Sequence, residues 1–115
     1  MHGAGYRATG LADNFVYGAS RVSPERLPDA IAGIRSLGIR GVSVTMPHKE
    51  AVIPLLDELD KDAQELGAVN TIVNENGVLI GCNTDWFGIA TPLADALKKS
   101  PTAQTSHSAL ILGAG

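Results

Sequence analysis

The apolar residues of this chain follow two spacings, one typical of amphipathic helices and one typical of short buried strands. Leu27, Ile31, Ile34 and Leu37 recur at helical spacing, which predicts a helix with one buried face. Residues 39–44 are rich in β-branched side chains and predict a strand, which Pro47 ends because proline has no backbone N–H to donate. Helices and strands that alternate in this way predict an α/β domain with a single core.

The segment before this helix predicts a parallel pairing of strands. Residues 14–19 are aromatic and β-branched and therefore predict a strand, with a short helix at residues 2–10 before it. A strand, a helix and a strand in succession form a right-handed crossover, in which the two strands lie parallel.

The second half of the chain predicts a hairpin. Asn76-Gly77 is a strong hairpin signal, and residues 69–73 and 78–81 on either side of it predict two antiparallel strands. With the parallel pair expected upstream, the sheet is predicted to be mixed and mainly parallel, and to be flanked by helices.

Two more helices are predicted around this hairpin. Residues 60–66 form a short helix, and Thr84 or Asp85 caps a longer one whose apolar face extends to Leu97. Pro92 predicts that the longer helix is kinked or restarted.

Polar side chains suited to chemistry lie near the ends of the predicted strands. Thr45 and Lys49 follow one strand, Asn70 and its neighbour Thr71 lie near the end of another, and Asp85 follows the hairpin. Ligands bind at such strand ends in open α/β sheets, and a lysine, a carboxylate and an amide can together bind a polyhydroxylated or carbonyl substrate. Taken singly, each residue has an ordinary alternative, which is a solvated lysine for Lys49 and turn or cap chemistry for Asn70 and Asp85.

Composition narrows the classes of function. The 115 residues suffice for one domain, and nine basic against twelve acidic residues give a net charge of −3 without a basic cluster, which argues against nucleic acid as a partner. Cys82 is the only cysteine, so an intrachain disulfide is excluded, and no Cys/His spacing predicts a metal site. With no apolar run of membrane-spanning length, we expect a soluble, cytoplasmic protein that binds a small molecule.

The last sixteen residues change in character. Residues 100–108 are small and polar and predict a linker, and residues 109–112 predict a buried strand that runs into Gly113-Ala114-Gly115. A strand followed by Gly-x-Gly commonly opens a phosphate-binding turn, but by itself this ending is a weak signal for a nucleotide.

Three motifs follow one another along the chain, namely Val44-Thr45-x-Pro47-x-Lys49, Gly67-Ala68-Val69-Asn70-Thr71 and Asn83-Thr84-Asp85-x-x-Gly88. In this order and spacing they resemble the motifs of the shikimate dehydrogenase family. The resemblance covers nearly the whole chain, and the terminal Gly-Ala-Gly matches the start of the family's nucleotide loop.

The resemblance implies an activity and roles for individual residues. It implies a reversible, NAD(P)-dependent reduction of 3-dehydroshikimate to shikimate, or the equivalent reaction that yields quinate. Lys49 and Asp85 would be the catalytic pair, and Thr45, Asn70 and Asp85 would contact substrate hydroxyls. The lysine would exchange the proton of the reacting oxygen while a nicotinamide exchanges the hydride.

The resemblance also implies a division of the chain. Residues 1–99 would form the substrate-binding and catalytic domain, 100–108 the linker, and 109–115 the first strand and glycine-rich start of a nucleotide-binding domain. Gly113, Ala114 and Gly115 would bind the cofactor, which would be NADP or NAD. The sequence does not distinguish between these two cofactors, and it does not indicate the oligomeric state.

Some expected features of the family differ here. Ser43 stands where the family usually has Asn, and the family's first strand and its Ser-x-Ser loop, which binds the substrate carboxylate, are expected before His2. We therefore expect the 115 residues alone to be marginally stable and inactive, because an inner strand of the sheet would be absent.

Two alternatives to a dehydrogenase domain remain. The chain could be a non-catalytic relative that binds shikimate or quinate, or a segment of a multifunctional polypeptide.

Overall fold

The computed structural model describes residues 2–99, which form five helices and four strands. The helices are α1 (His2–Ala8), α2 (Leu27–Ser36), α3 (His48–Ala51), α4 (Lys61–Leu66) and α5 (Asp85–Lys99). The strands are β1 (Gly41–Ser43), β2 (Glu58–Leu59), β3 (Thr71–Glu75) and β4 (Val78–Cys82), and two 3-10 turns span Pro24–Arg26 and Ile53–Leu55. None of these helices within residues 2–99 is long and apolar enough to cross a membrane.

The four strands form one sheet in the order β1-β3-β4-β2. β3 pairs antiparallel with both β1 and β4, whereas β2 pairs parallel with β4. The predicted mixed α/β architecture with flanking helices is confirmed. The expectation of a mainly parallel sheet is wrong for residues 2–99, because two of the three pairings are antiparallel.

The strand predicted at residues 14–19 is not formed. This segment is irregular, Val16 is almost wholly exposed at 97%, and Phe15 instead turns back to lie 6.0 Å from the ring of Tyr6 in α1. Aromatic and β-branched composition indicates only a tendency to form a strand, and pairing with a neighbouring strand decides the outcome. None of the four described strands pairs with this segment, so the predicted parallel crossover is absent from residues 2–99.

Local signals predicted the hairpin turn and α4 well, whereas the two-residue strand β2 was not predicted. Asn76 and Gly77 both have positive φ, at 54° and 96°, as a two-residue type I′ hairpin turn requires, and the side-chain oxygen of Asn74 accepts the Gly77 N–H at 2.8 Å. Asp60 caps α4 by accepting a hydrogen bond from the Ala63 N–H. Pro92 lies inside α5, which continues through it.

The core lies between the sheet and the helices. It contains the buried side chains Leu27, Ile31 and Ile34 of α2, together with Val52, Ala63, Val69, Ile72 and Leu79. Leu27, Ile31 and Ile34 form the buried face that helical spacing predicted for α2. The prediction is wrong for Leu37, which is 77% exposed because α2 ends at Ser36 and Leu37 lies beyond its last turn.

Gly81 is the point of closest packing at the end of β4. A Cβ atom at this position would lie within 2.8 Å of side-chain atoms of Leu56, Leu59 and Val69. Because a methyl group does not fit there, the absence of a side chain at Gly81 allows β4 to lie against these three residues.

An ion pair and its hydrogen bonds hold the opposite end of the hairpin. Arg35 Nη1 donates to Asp57 Oδ2 at 2.7 Å and also to the Gly77 carbonyl in the turn. Asp57 Oδ2 in turn accepts the Leu79 N–H at 2.7 Å. The Arg35 guanidinium, followed by the Leu79 N–H, holds the pKa of the Asp57 carboxyl below its usual range. These contacts join α2 and the segment before β2 to the hairpin.

We predict that Gly81→Ala destabilises the domain by about 1–3 kcal/mol, because the added methyl group overpacks the contact with Leu56, Leu59 and Val69. Urea unfolding of the complete protein measures the loss. The matched control is Gly33→Ala in α2, where a Cβ meets no atom within 4 Å, so the unfolding free energy should be unchanged or should rise. Equal effects of the two substitutions would contradict the packing described for Gly81.

We further predict that Asp57→Asn lowers the unfolding free energy near neutral pH and that this difference shrinks in acid. The folded-state pKa of Asp57 is depressed, so its contribution is fully present above the unfolded value, about 3.9, and is lost as the pH falls through the folded value. Urea unfolding of wild type and variant between pH 7 and about pH 2.5 tests this. A difference that stays constant over this range would contradict it.

Candidate active site

The predicted polar residues meet at one edge of the sheet because β3 runs antiparallel to both of its neighbours. The start of β3 at Thr71 therefore lies beside Ser43 at the end of β1 and beside Cys82 at the end of β4. The residues therefore meet through antiparallel pairing, and not through the mainly parallel sheet that the sequence predicted. Asn70 precedes its strand, while Lys49 and Asp85 follow theirs.

The backbone of Asn70 is held from both sides. Its N–H donates to the Cys82 carbonyl at 3.1 Å, and its carbonyl accepts the Val44 N–H at 2.7 Å. These bonds extend both antiparallel ladders by one residue beyond β3. Asn70 is therefore fixed between the segments that carry the other candidate residues.

Lys49 is positioned by a tight turn after β1. The chain turns at a cis Met46-Pro47 bond, and the His48 N–H then donates to the Thr45 carbonyl at 2.9 Å. The His48 ring lies with Nε2 2.9 Å from the Val22 carbonyl, to which it donates. The carbonyl of Lys49 itself accepts the Val69 N–H at 2.8 Å, so the lysine backbone is tied to the segment that leads into Asn70.

Lys49 and Asp85 form an ion pair across this edge. Lys49 Nζ lies 2.7 Å from Asp85 Oδ2, and 27% and 55% of the two side chains are exposed. Lys49, and after it the Asn70 side chain, hold the pKa of the Asp85 carboxyl below its usual range, so this carboxylate is ionised at neutral pH. A charged pair that is open to solvent is accessible to a ligand.

The Asn70 side chain is bonded to the segment before α5. Its Oδ1 accepts the Thr84 N–H at 3.1 Å and the Thr71 hydroxyl at 2.8 Å. Its Nδ2 donates to Thr84 Oγ1 at 3.0 Å. The Asn70 side chain is therefore bonded to Thr84, the residue directly before Asp85.

Asn83 is a site-supporting residue to which sequence reasoning gave no role. It is buried, with 4% exposure, and its Nδ2 donates to the Ala68 carbonyl at 2.9 Å while its Oδ1 accepts the Asp85 N–H at 3.0 Å. The side chain that satisfies the first N–H of α5 is thus that of Asn83, and not Thr84 or Asp85 as predicted. Its position two residues before Asp85 is typical of an Asx turn, which is the signal that could have identified it.

The other predicted residues are less closely connected. Thr45 is exposed, and within residues 2–99 its side chain makes no hydrogen bond to Lys49, Asn70 or Asp85. An open cleft beside Lys49 is bounded by Met46, Pro47, Glu50, Ala51 and Pro54. Gly113, Ala114 and Gly115 lie outside the described residues, as do the predicted linker at 100–108 and the strand after it.

Within residues 2–99, the fold and the site define an α/β ligand-binding domain. The edge of its sheet carries a Lys49–Asp85 ion pair beside the amide of Asn70. Residues 1–72 match the family described as the shikimate dehydrogenase substrate binding domain. The chain therefore belongs to the shikimate dehydrogenase family, as its motifs predicted.

Known proteins and structures agree with this membership. The chain is 55% identical over 97 residues to a protein named shikimate dehydrogenase (NADP(+)) of Geobacillus sp. (strain WCH70). The aligned region covers 84% of this chain and 34% of that protein. It is 47% identical over all 115 residues to the protein of that name in Symbiobacterium thermophilum, covering 37% of it.

A crystal structure of shikimate 5-dehydrogenase from Listeria monocytogenes, in complex with shikimate and NAD, has the same fold. Its TM-score is 0.76 at 39% identity, over 83% of this chain and 32% of that one. The chain spans about a third of the length of these relatives.

We predict that Lys49→Met raises the pKa of the Asp85 carboxyl toward its usual range, because the substitution removes the main group that stabilises its ionised form. Carboxyl carbon NMR titration of the complete protein measures this. Lys61→Met is the matched control, since Lys61 pairs with Glu65 on an exposed helix face and should leave Asp85 unchanged. An Asp85 titration that is the same in Lys49→Met and wild type would contradict the ion pair.

Proposed function

We propose that this chain is the substrate-binding and catalytic part of a shikimate dehydrogenase, which interconverts 3-dehydroshikimate and shikimate with a nicotinamide cofactor. The observation that carries the proposal is the 2.7 Å contact between Lys49 Nζ and Asp85 Oδ2 beside the hydrogen-bonded amide of Asn70. The three relatives described above are each named shikimate dehydrogenase, and these names supply the substrate.

The substrate is a ring with several hydroxyl groups, so its recognition requires several hydrogen-bonding side chains. Asp85 accepts from a ring hydroxyl with its ionised carboxylate, and Asn70 bonds a neighbouring oxygen. Thr45, exposed at the same edge of the sheet, supplies a further hydroxyl. The half-exposed carboxylate of Asp85 supports this arrangement, because it leaves acceptor capacity beyond the bond to Lys49.

The proton chemistry falls to Lys49 and Asp85. During reduction of the ketone, negative charge develops on the carbonyl oxygen, and the Lys49 ammonium stabilises that charge and donates a proton to it. In the reverse direction, the neutral lysine takes the proton from the substrate hydroxyl. The ionised Asp85, through its 2.7 Å bond to Lys49 Nζ, orients the ammonium toward the substrate.

The cofactor is proposed to be NADP, which is the cofactor in the names of the curated relatives, although the Listeria monocytogenes structure contains NAD. When bound, a nicotinamide cofactor supplies or accepts the hydride. The residues proposed to hold it, Gly113, Ala114 and Gly115, lie outside the described part of the chain. The lysine, carboxylate and amide of the described part suit binding of the substrate and transfer of its proton. In this proposal residues 1–99 are the catalytic domain and residues 100–108 are the linker.

We predict that Lys49→Ala lowers kcat by about 10²–10⁴-fold and changes KM only modestly, because the lysine acts on charge that develops in the transition state. Steady-state oxidation of shikimate by the complete protein, with NADP and with NAD in parallel, measures the effect. Lys61→Ala, at an exposed position of α4, is the control and should retain full activity.

The same assay separates the proposal from its alternatives. A wild-type protein that binds shikimate but does not turn it over would be a non-catalytic relative. Turnover of quinate in preference to shikimate would show that the substrate is quinate and would leave the proposed roles of Lys49 and Asp85 unchanged. A kcat in Lys49→Ala that is close to wild type would refute the catalytic role of the lysine.

A further inference from the structure

The amide of Asn70 has a defined orientation, because a backbone N–H faces one end of it. The N–H of Thr84 lies 3.1 Å from Asn70 Oδ1, and a backbone N–H can only donate. The atom opposite it must therefore be the amide oxygen. The Thr71 hydroxyl donates to the same oxygen at 2.8 Å, so two donors hold Oδ1 in place.

The nitrogen end of the amide consequently points the other way. Asn70 Nδ2 donates one of its two protons to Thr84 Oγ1 at 3.0 Å. The Thr84 hydroxyl is also 3.2 Å from Oδ1, so this side chain contacts both ends of the amide. Within residues 2–99 the second Nδ2 proton makes no hydrogen bond, so it is available to a ligand.

Thr84 is itself held firmly in position. It lies between Asn83, which is buried and bonded to the Ala68 carbonyl, and Asp85, whose N–H donates to Asn83. The hydroxyl of Thr84 is exposed, and an exposed threonine hydroxyl ordinarily bonds to water. Here it bonds instead to the side chain of a residue 14 positions earlier in the chain.

We propose that Thr84 is a positioning residue that fixes Asn70 as a hydrogen-bond donor to the substrate. Asn70 then recognises a lone pair on a substrate oxygen, and the ionised Asp85 beside it recognises a hydroxyl proton. Asn70 thus donates a hydrogen bond to one ring oxygen, and Asp85 accepts a hydrogen bond from the hydroxyl of a neighbouring one. This inference rests on the proposed function, in which Asn70 contacts the substrate.

The test is Thr84→Val in the complete protein, because valine keeps the shape and the backbone N–H of Thr84 and removes only the hydroxyl. Loss of the two hydroxyl contacts with the Asn70 amide should raise KM for shikimate by about three- to tenfold and leave kcat within about twofold. The unfolding temperature should stay within about 2 °C, because the position is exposed. Thr84→Ser, which retains a hydroxyl, should restore KM. Thr91→Val, at an exposed position in α5, is the matched control and should not change KM.

A double-mutant cycle with Asn70→Ala shows whether Thr84 acts through Asn70. If it does, Asn70→Ala alone raises KM by about tenfold or more, and adding Thr84→Val to it has no further effect. A Thr84→Val effect of equal size in both backgrounds, or no effect in the wild-type background, would overturn the inference and leave the proposed function intact. An Asn70→Ala variant with wild-type KM would refute the substrate role of Asn70, and the inference with it.

Discussion

The antiparallel course of β3 between β1 and β4 is the constraint on which the site depends. It brings the residue before one strand beside the residues that follow two others, and the backbone of Asn70 bonds to both neighbouring segments. Lys49 and Asp85 then approach from opposite sides of Asn70. Without this middle strand, Lys49, Asn70 and Asp85 would lie on separate loops that no shared strand holds together.

The electrostatics of the site suit binding more than folding. The Lys49–Asp85 pair is partly exposed, and exposed ion pairs contribute little to stability because water solvates both charges well. The buried asparagine, Asn83, has a supporting role instead, since both ends of its amide bond to backbone and its burial leaves no polar atom unsatisfied among residues 2–99. Rigid backbone anchors therefore carry charged groups that a ligand can reach.

The sequence predicted those elements that local interactions decide. Asn76-Gly77 determines its own turn, Asp60 caps its own helix, and helical spacing identified the buried face of α2. The motifs also named Lys49, Asn70 and Asp85, which the structure brings together. The strand at residues 14–19 was predicted wrongly, because strand formation depends on a partner that composition does not reveal. The roles of Asn83 and Thr84 depend on contacts with residues 14 and 15 positions away, which the sequence alone does not show.

The separation along the chain of the paired residues has a consequence for how the site forms. The β3–β4 hairpin closes through a two-residue turn, whereas the Lys49–Asp85 contact joins residues 36 positions apart. Local hairpins form within about 1–10 μs, while contacts between distant residues must first overcome the entropy of closing a long loop. The hairpin can therefore form before the site does, and a ligand of this site binds only the folded state. Its binding free energy then adds to the stability of the fold by mass action.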